Sequence, residues 1–136
     1  MSPEVHKRKC EQMLTYLTRL RQHEDIECAN YSDHIYEIER LLILLLEVAA
    51  DMTEHELARR QQPVPETYKG VFRAAVTVGA LPEELGTALE HAAGQRNILV
   101  HMYEQIDDEL VRVAIPVAVR TYAGFLTHAT EWLNPL

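Results

Sequence analysis

Arg96, Asn97, His101 and Tyr103 fall within eight consecutive positions of the stretch GQRNILVHMYEQID, residues 94–107, which otherwise reads as an apolar helix. A helix advances about 100° per residue, so Asn97 and His101 at i and i+4 stack on one face. Arg96 and Tyr103 at i and i+7 form a second stripe about 100° away, a gap the long arginine can cross. A histidine gains or loses a proton near neutral pH. An arginine holds a phosphate through two parallel hydrogen bonds, and an asparagine can orient either group. If a helix begins near Gln95, its free N–H groups would add an anion-binding end. RNA carries its own nucleophile, the 2′-hydroxyl, so a base and a phosphate clamp suffice to cleave it without a metal. One histidine per chain supplies a base but no acid, and a two-fold dimer would bring a second copy to the same cleft. A helix-capping Arg–His pair on a packed face accounts for the same spacing, and spacing alone leaves both readings open.

The rest of the chain must position this stretch. Its 136 residues, 47% hydrophobic and 25% charged, fit one domain, residues 1–136, with one core. The net charge of −8 argues against a general nucleic-acid coat, though not against a locally basic phosphate site. The N-terminus MSPEVHKRKCEQ lacks an apolar signal core. LLILLLEVAA, residues 41–50, is too short for the roughly 20 residues a membrane span needs. Cys10 and Cys28 make no disulfide framework, so a cytoplasmic, reduced protein with no membrane partner is expected.

Periodicity predicts a first helix from about Pro3 into the low twenties, with Cys10, Met13, Leu14, Leu17 and Leu20 on one face. Ser32 and Asp33 offer N-caps for a long second helix ending before QQPVPET, where Pro63 and Pro65 stiffen a linker. A shorter helix carries Tyr68, Val71, Phe72, Ala75 and Val76 and stops at Gly79; Pro82 opens the next. Gly94 is expected to break or end that one. A last helix from about Asp107 to Leu133 is expected to kink at Pro116. No strand alternation and no Gly-rich phosphate loop appears. The fold class is therefore all-α, an up-and-down bundle of four to five helices.

Glu47, Asp51 and His55 form an i, i+4, i+8 stripe on the long helix. A metal site there lacks a second helix and a Glu-x-x-His pair, so no metal and no cofactor is assigned. Asp51 and His55 could instead orient the catalytic groups. His6, His23, His34, His91 and His128 have no partner at telling spacing and read as surface residues. Tyr68, Phe72 and Trp132 read as packing, and KRK at 7–9 as the solvated side of the first helix.

RNILVHMY fits R-x-x-x-x-H-x-Y, and its surroundings, from PVPETYKGVFRAA to HMYEQID, resemble the HepT toxins of the HEPN superfamily. IERLLILLLEVAADMTEH resembles that family's long second helix, and Asp51 and His55 match a D-x-x-x-H element in it. The resemblance covers nearly the whole chain. It implies a HEPN-like helical bundle that dimerises, with Arg96 and His101 lining a cleft at the interface. It implies a metal-independent RNA endonuclease toxin, acting on RNA and not DNA, of a type VII-like toxin–antitoxin system. It also implies a partner, an MntA-like nucleotidyltransferase antitoxin that uses ATP to place AMP on Tyr103. Carried over residue by residue, His101 is the general base, Arg96 the phosphate clamp, Asn97 an orienting group and Tyr103 the AMP acceptor. The alternative is a non-catalytic helical partner that presents substrate or a docking surface to a nucleotidyltransferase.

Overall fold

The computed structural model describes residues 2–101 and 106–134, with Cys28, Ala29 and His101 described by their backbone alone. Five long helices and one short one follow in order: α1 Pro3–Arg21, α2 Cys28–Tyr31, α3 Ile35–Arg59, α4 Tyr68–Thr77, α5 Glu83–His101 and α6 Asp108–Glu131. The described residues contain no strand. The all-α bundle expected from periodicity is what forms, with the additional short helix α2 between the first two long helices.

Local chemistry sets most of the helix ends. Ser2 Oγ accepts from the Val5 N–H at 3.3 Å, and Thr67 Oγ1 from the Gly70 N–H at 3.0 Å. Asp107 accepts from both Glu109 and Leu110, at 3.0 and 3.3 Å. Each satisfies donors that a helix start leaves unpaired. Gly79 takes a left-handed φ of 82°, which lets the Ala80 N–H reach back to the Ala75 carbonyl at 2.8 Å. That six-residue closure is the Schellman stop of α4. The expected caps of α3 are not used. Ser32 and Asp33 lie in the turn before it, and His34 is the N-cap residue without a side-chain cap bond.

Gly94 neither breaks nor ends a helix; α5 runs through it from Glu83 to His101. A mid-helix glycine costs only about 1 kcal/mol relative to alanine. The buried Leu89, Ala93 and Leu99 on either side hold the helix in place. A methyl group at Gly94 would meet Lys69 Cε at an ordinary 3.7 Å, so no close approach requires the glycine. Gly86 differs. A Cβ there would lie 2.1 Å from Val76 Cγ2, so the packing of α4 on α5 depends on its absence.

One core joins the helices: Met13, Leu17 and Leu20 from α1, Leu45, Leu46 and Met52 from α3, Phe72 from α4, Leu89 from α5, and Ile115, Tyr122 and Phe125 from α6. Leu14, placed on the apolar face by periodicity, is instead 51% exposed. Two histidines read as surface residues are buried. His6 Nε2 lies 2.7 Å from the Ala129 carbonyl oxygen, beside the Trp132 ring, and His23 packs near Glu37 and His34.

Pro116 lies inside α6, where its missing N–H removes one helical hydrogen bond. By length and composition α6 is apolar enough to cross a membrane. It is nevertheless a helix of this bundle, with Ile115, Val119, Tyr122, Phe125 and Ala129 in the core. Its surplus apolar side chains, Leu110, Val113 and Val117, are 67%, 55% and 47% exposed and run along one flank.

Candidate functional site

Because α5 is continuous, Arg96 and Asn97 sit well inside a helix rather than at its start. The anion-binding N–H end considered from sequence therefore does not exist at this position. Both side chains project from the C-terminal half of α5, Asn97 exposed and Arg96 partly buried. His101 is the last described residue of α5; its side chain, and Tyr103 altogether, lie outside the described residues.

Three helices fix Arg96. Its Nη2 donates to Glu47 Oε1 of α3 at 3.3 Å. Its guanidinium carbon lies 5.2 Å from the centre of the Tyr68 ring at the start of α4, within the range of an attractive cation–π contact. Its Nε is buried and has no hydrogen-bond partner among the described residues. The side chain is 20% exposed. Among the described residues, only one of its five donors, on Nη2, is committed, and that to a long bond. The result is an oriented cation with most of its hydrogen-bonding capacity unspent.

Asp51 and His55 do not join this arrangement. Asp51 takes Lys9 Nζ at 2.7 Å and His55 Nε2 at 3.5 Å. Lys9, assigned from sequence to a solvated run, thus bridges α1 to α3. The residue that reaches Arg96 is Glu47, one turn earlier on the same stripe. The stripe Glu47–Asp51–His55 is engaged by basic partners and does not form a three-ligand cluster among the described residues. Glu47 and Tyr68 were read from sequence as a weak metal ligand and a packing residue. A signal for Glu47 was available: it is the one charge inside LLILLLEVAA, and a carboxylate in an apolar run calls for a buried cation.

Alongside the site, α5 and α6 border an open apolar groove of about 710 Å³, lined by Leu42, Ile98, Leu110, Val113, Val117 and Tyr122 among others. Leu42 of the apolar run 41–46 takes part in this lining. Leu41, Leu45 and Leu46 are buried in the chain's own core.

A helical bundle with Arg96 and His101 on α5, the arginine held by neighbouring helices, fits the architecture that the motif's resemblance implies. Residues 13–129 match the family model described as "Ribonuclease HepT-like", and the chain belongs to that family. A protein named "tRNA nuclease HepT" from Aphanizomenon flos-aquae is 28% identical over 142 residues, spanning 100% of this chain and 95% of the relative. The fold matches a tri-AMPylated Shewanella oneidensis HEPN toxin, solved in complex with its MNT antitoxin. The TM-score is 0.86 at 16% identity, covering 96% of this chain and 99% of that one. It also matches YutE, a cytosolic protein of unknown function from Bacillus subtilis, with a TM-score of 0.75 at 19% identity, covering 93% and 90% of the two chains. The HepT resemblance seen in the motif is therefore correct, and the chain is a HepT-like RNase toxin homologue with the activity class of an RNA endonuclease.

Proposed function

We propose that this chain cleaves RNA without a metal, at a cleft shared by two copies, and is silenced by AMP transfer to Tyr103. The observation that carries the reading is Arg96: a restrained, partly buried guanidinium with donors unspent among the described residues, five residues before His101 on the same helix. In this mechanism Arg96 grips the scissile phosphate and stabilises the charge that builds on its non-bridging oxygens. His101 removes the proton from the 2′-hydroxyl, which attacks the adjacent phosphorus; the 5′-oxygen leaves and is protonated by the partner's histidine. Asn97, exposed one residue after the arginine, orients the substrate or the imidazole. Asp51 and His55 serve, as the resemblance implies, to support the site from α3, where Asp51 also ties α3 to Lys9 of α1.

The exposed flank of Ile98, Leu110, Val113 and Val117 supports a homodimer, since a contiguous apolar surface beside a half-complete site marks an association surface. The neighbouring toxins in antitoxin complexes support a nucleotidyltransferase partner of the MNT type that uses ATP. AMP on Tyr103 would place a negative phosphodiester and an adenosine where RNA must lie. Residues 1–136 then act as one domain in the cytoplasm, as the cytosolic neighbour also suggests.

The test is cleavage of RNA by the purified chain in excess EDTA, with His101→Ala as its pair. Products ending in a 2′,3′-cyclic phosphate, resistance of DNA, and growth arrest in bacteria only when His101 is intact are expected. Cleavage unchanged in His101→Ala would remove His101 as the base, and no cleavage by the wild-type chain would move it to the alternative reading, a non-catalytic partner of a nucleotidyltransferase.

A further inference from the structure

His23, His34 and Glu37 come together at the end of the bundle where α1 hands over to α3. We propose that they form a binding site for a divalent transition-metal ion of the zinc class. One ligand atom from each lies within 4.8 Å of the other two. His23 Nε2 and Glu37 Oε2 are 3.3 Å apart. Zinc–ligand bonds of about 2.0–2.1 Å in a tetrahedron give a ligand–ligand edge of roughly 3.3 Å, so this pair already spans one edge. The two imidazole rings stand 4.9 Å apart between centres at 41°, so a modest rotation of the exposed His34 closes the remaining edges. Two imidazoles and one carboxylate suit zinc and disfavour magnesium, which prefers oxygen ligands alone.

Burial supports a built site. His23 is 7% exposed, whereas His34 and Glu37 open to solvent. A fixed ligand from below and two adjustable ligands from above leave the fourth position for water. His34 is the N-cap of α3 and Glu37 lies in its first turn, and the chain entering α3 brings them to the same end of the bundle. His23 lies in the turn just after α1, its N–H bonded to the Leu20 carbonyl at 2.9 Å.

The bound ion would staple the last turn of α1 to the first turn of α3, closing the connection that holds α2. That connection also reaches α6: Arg112 Nη1 donates to the Ile26 carbonyl at 3.2 Å. The site is distinct from the Arg96 site and takes no part in phosphate chemistry.

Calorimetric titration of the tag-free full-length chain with ZnCl2 at pH 7.5 is expected to show one site in the micromolar range, and MgCl2 none. Zinc at ten times the dissociation constant should raise the melting temperature by roughly 5 °C. His34→Ala and Glu37→Gln alter exposed side chains and should each weaken binding by roughly tenfold or more, with the helical circular dichroism unchanged. His55→Ala, at the other histidine–carboxylate pair, should leave it intact. No heat and no thermal shift at 0.1 mM zinc, roughly a hundredfold above a micromolar constant, would reduce the cluster to a His23–Glu37 ion pair and overturn the proposal. So would binding that survives both His34→Ala and Glu37→Gln. RNA cleavage in EDTA should be the same whether or not zinc binds, so failure here leaves the nuclease reading untouched.

Discussion

Replacing Arg96 with alanine should separate catalysis from stability, because the structure sets the two effects at different sizes. The substitution removes a partly exposed ion pair with Glu47, worth about 0–1 kcal/mol after solvent screening. It also removes the contact over Tyr68, about 0.5–1 kcal/mol at a half-open position. Against these losses it deletes a buried Nε that has no partner among the described residues, a penalty of about 1–3 kcal/mol. These terms nearly cancel, so the fold should change by no more than about 1 kcal/mol, a melting shift of roughly 3–6 °C either way. Transition-state stabilisation has no such offset. Loss of a preorganised charge clamp costs about 2.7–4 kcal/mol, a hundred- to a thousandfold in kcat. Single-turnover cleavage of a labelled RNA, with thermal melts on the same preparations, reads both quantities. Arg96→Lys keeps the charge and loses the planar fork, and should fall between wild type and alanine. Activity of Arg96→Ala within fivefold of wild type would refute the clamp. A melting point lower by more than 10 °C, with activity falling only in step with the folded fraction, would make Arg96 a structural residue.

Val113→Glu places a charge on the exposed apolar flank of α6; light scattering should show the dimer converted to monomer, with cleavage lost and the helical signal kept. A wild-type chain that is strictly monomeric at micromolar concentration would undercut the shared cleft. Tyr103→Phe should keep most of the cleavage activity but escape inactivation by a nucleotidyltransferase of the MNT type with ATP. Wild type should gain about 329 Da per AMP in intact-mass spectra, and a phenylalanine variant silenced equally well would remove Tyr103 as the switch. Burial, and secondarily Asp108, raise the pKa of the Glu39 carboxyl. The native state then holds its proton more tightly than the unfolded chain, so stability falls as pH rises from the ordinary carboxylate pKa through the raised one. Glu39→Gln should accordingly melt higher than wild type at pH 7.5, with the gain fading towards pH 4; a lower melting point at pH 7.5 would contradict the assignment.

Local order was legible in the sequence because it depends on neighbours along the chain. The apolar period of α3 and, Leu14 apart, of α1, the stop at Gly79 and the start of the last helix at about Asp107 are short-range effects, and they form where the residues predict them. The motif from Arg96 to Tyr103 was likewise visible, since family membership is written in residue types and spacing. Tertiary structure decided what those residues touch. Gly94 reads as a break, yet packing of Leu89, Ala93 and Leu99 outweighs its small helix penalty and carries α5 on to His101. Glu47, Asp51 and His55 share one stripe, but only the folded chain brings Arg96 from 49 residues away to Glu47 and leaves Asp51 to Lys9. His23 and His34 show no relation in sequence because the turn of α2 lies between them, and their meeting is created by how α1 and α3 pack. Contacts between elements distant in the chain depend on which faces bury together, and that is a property of the whole core, not of any local window.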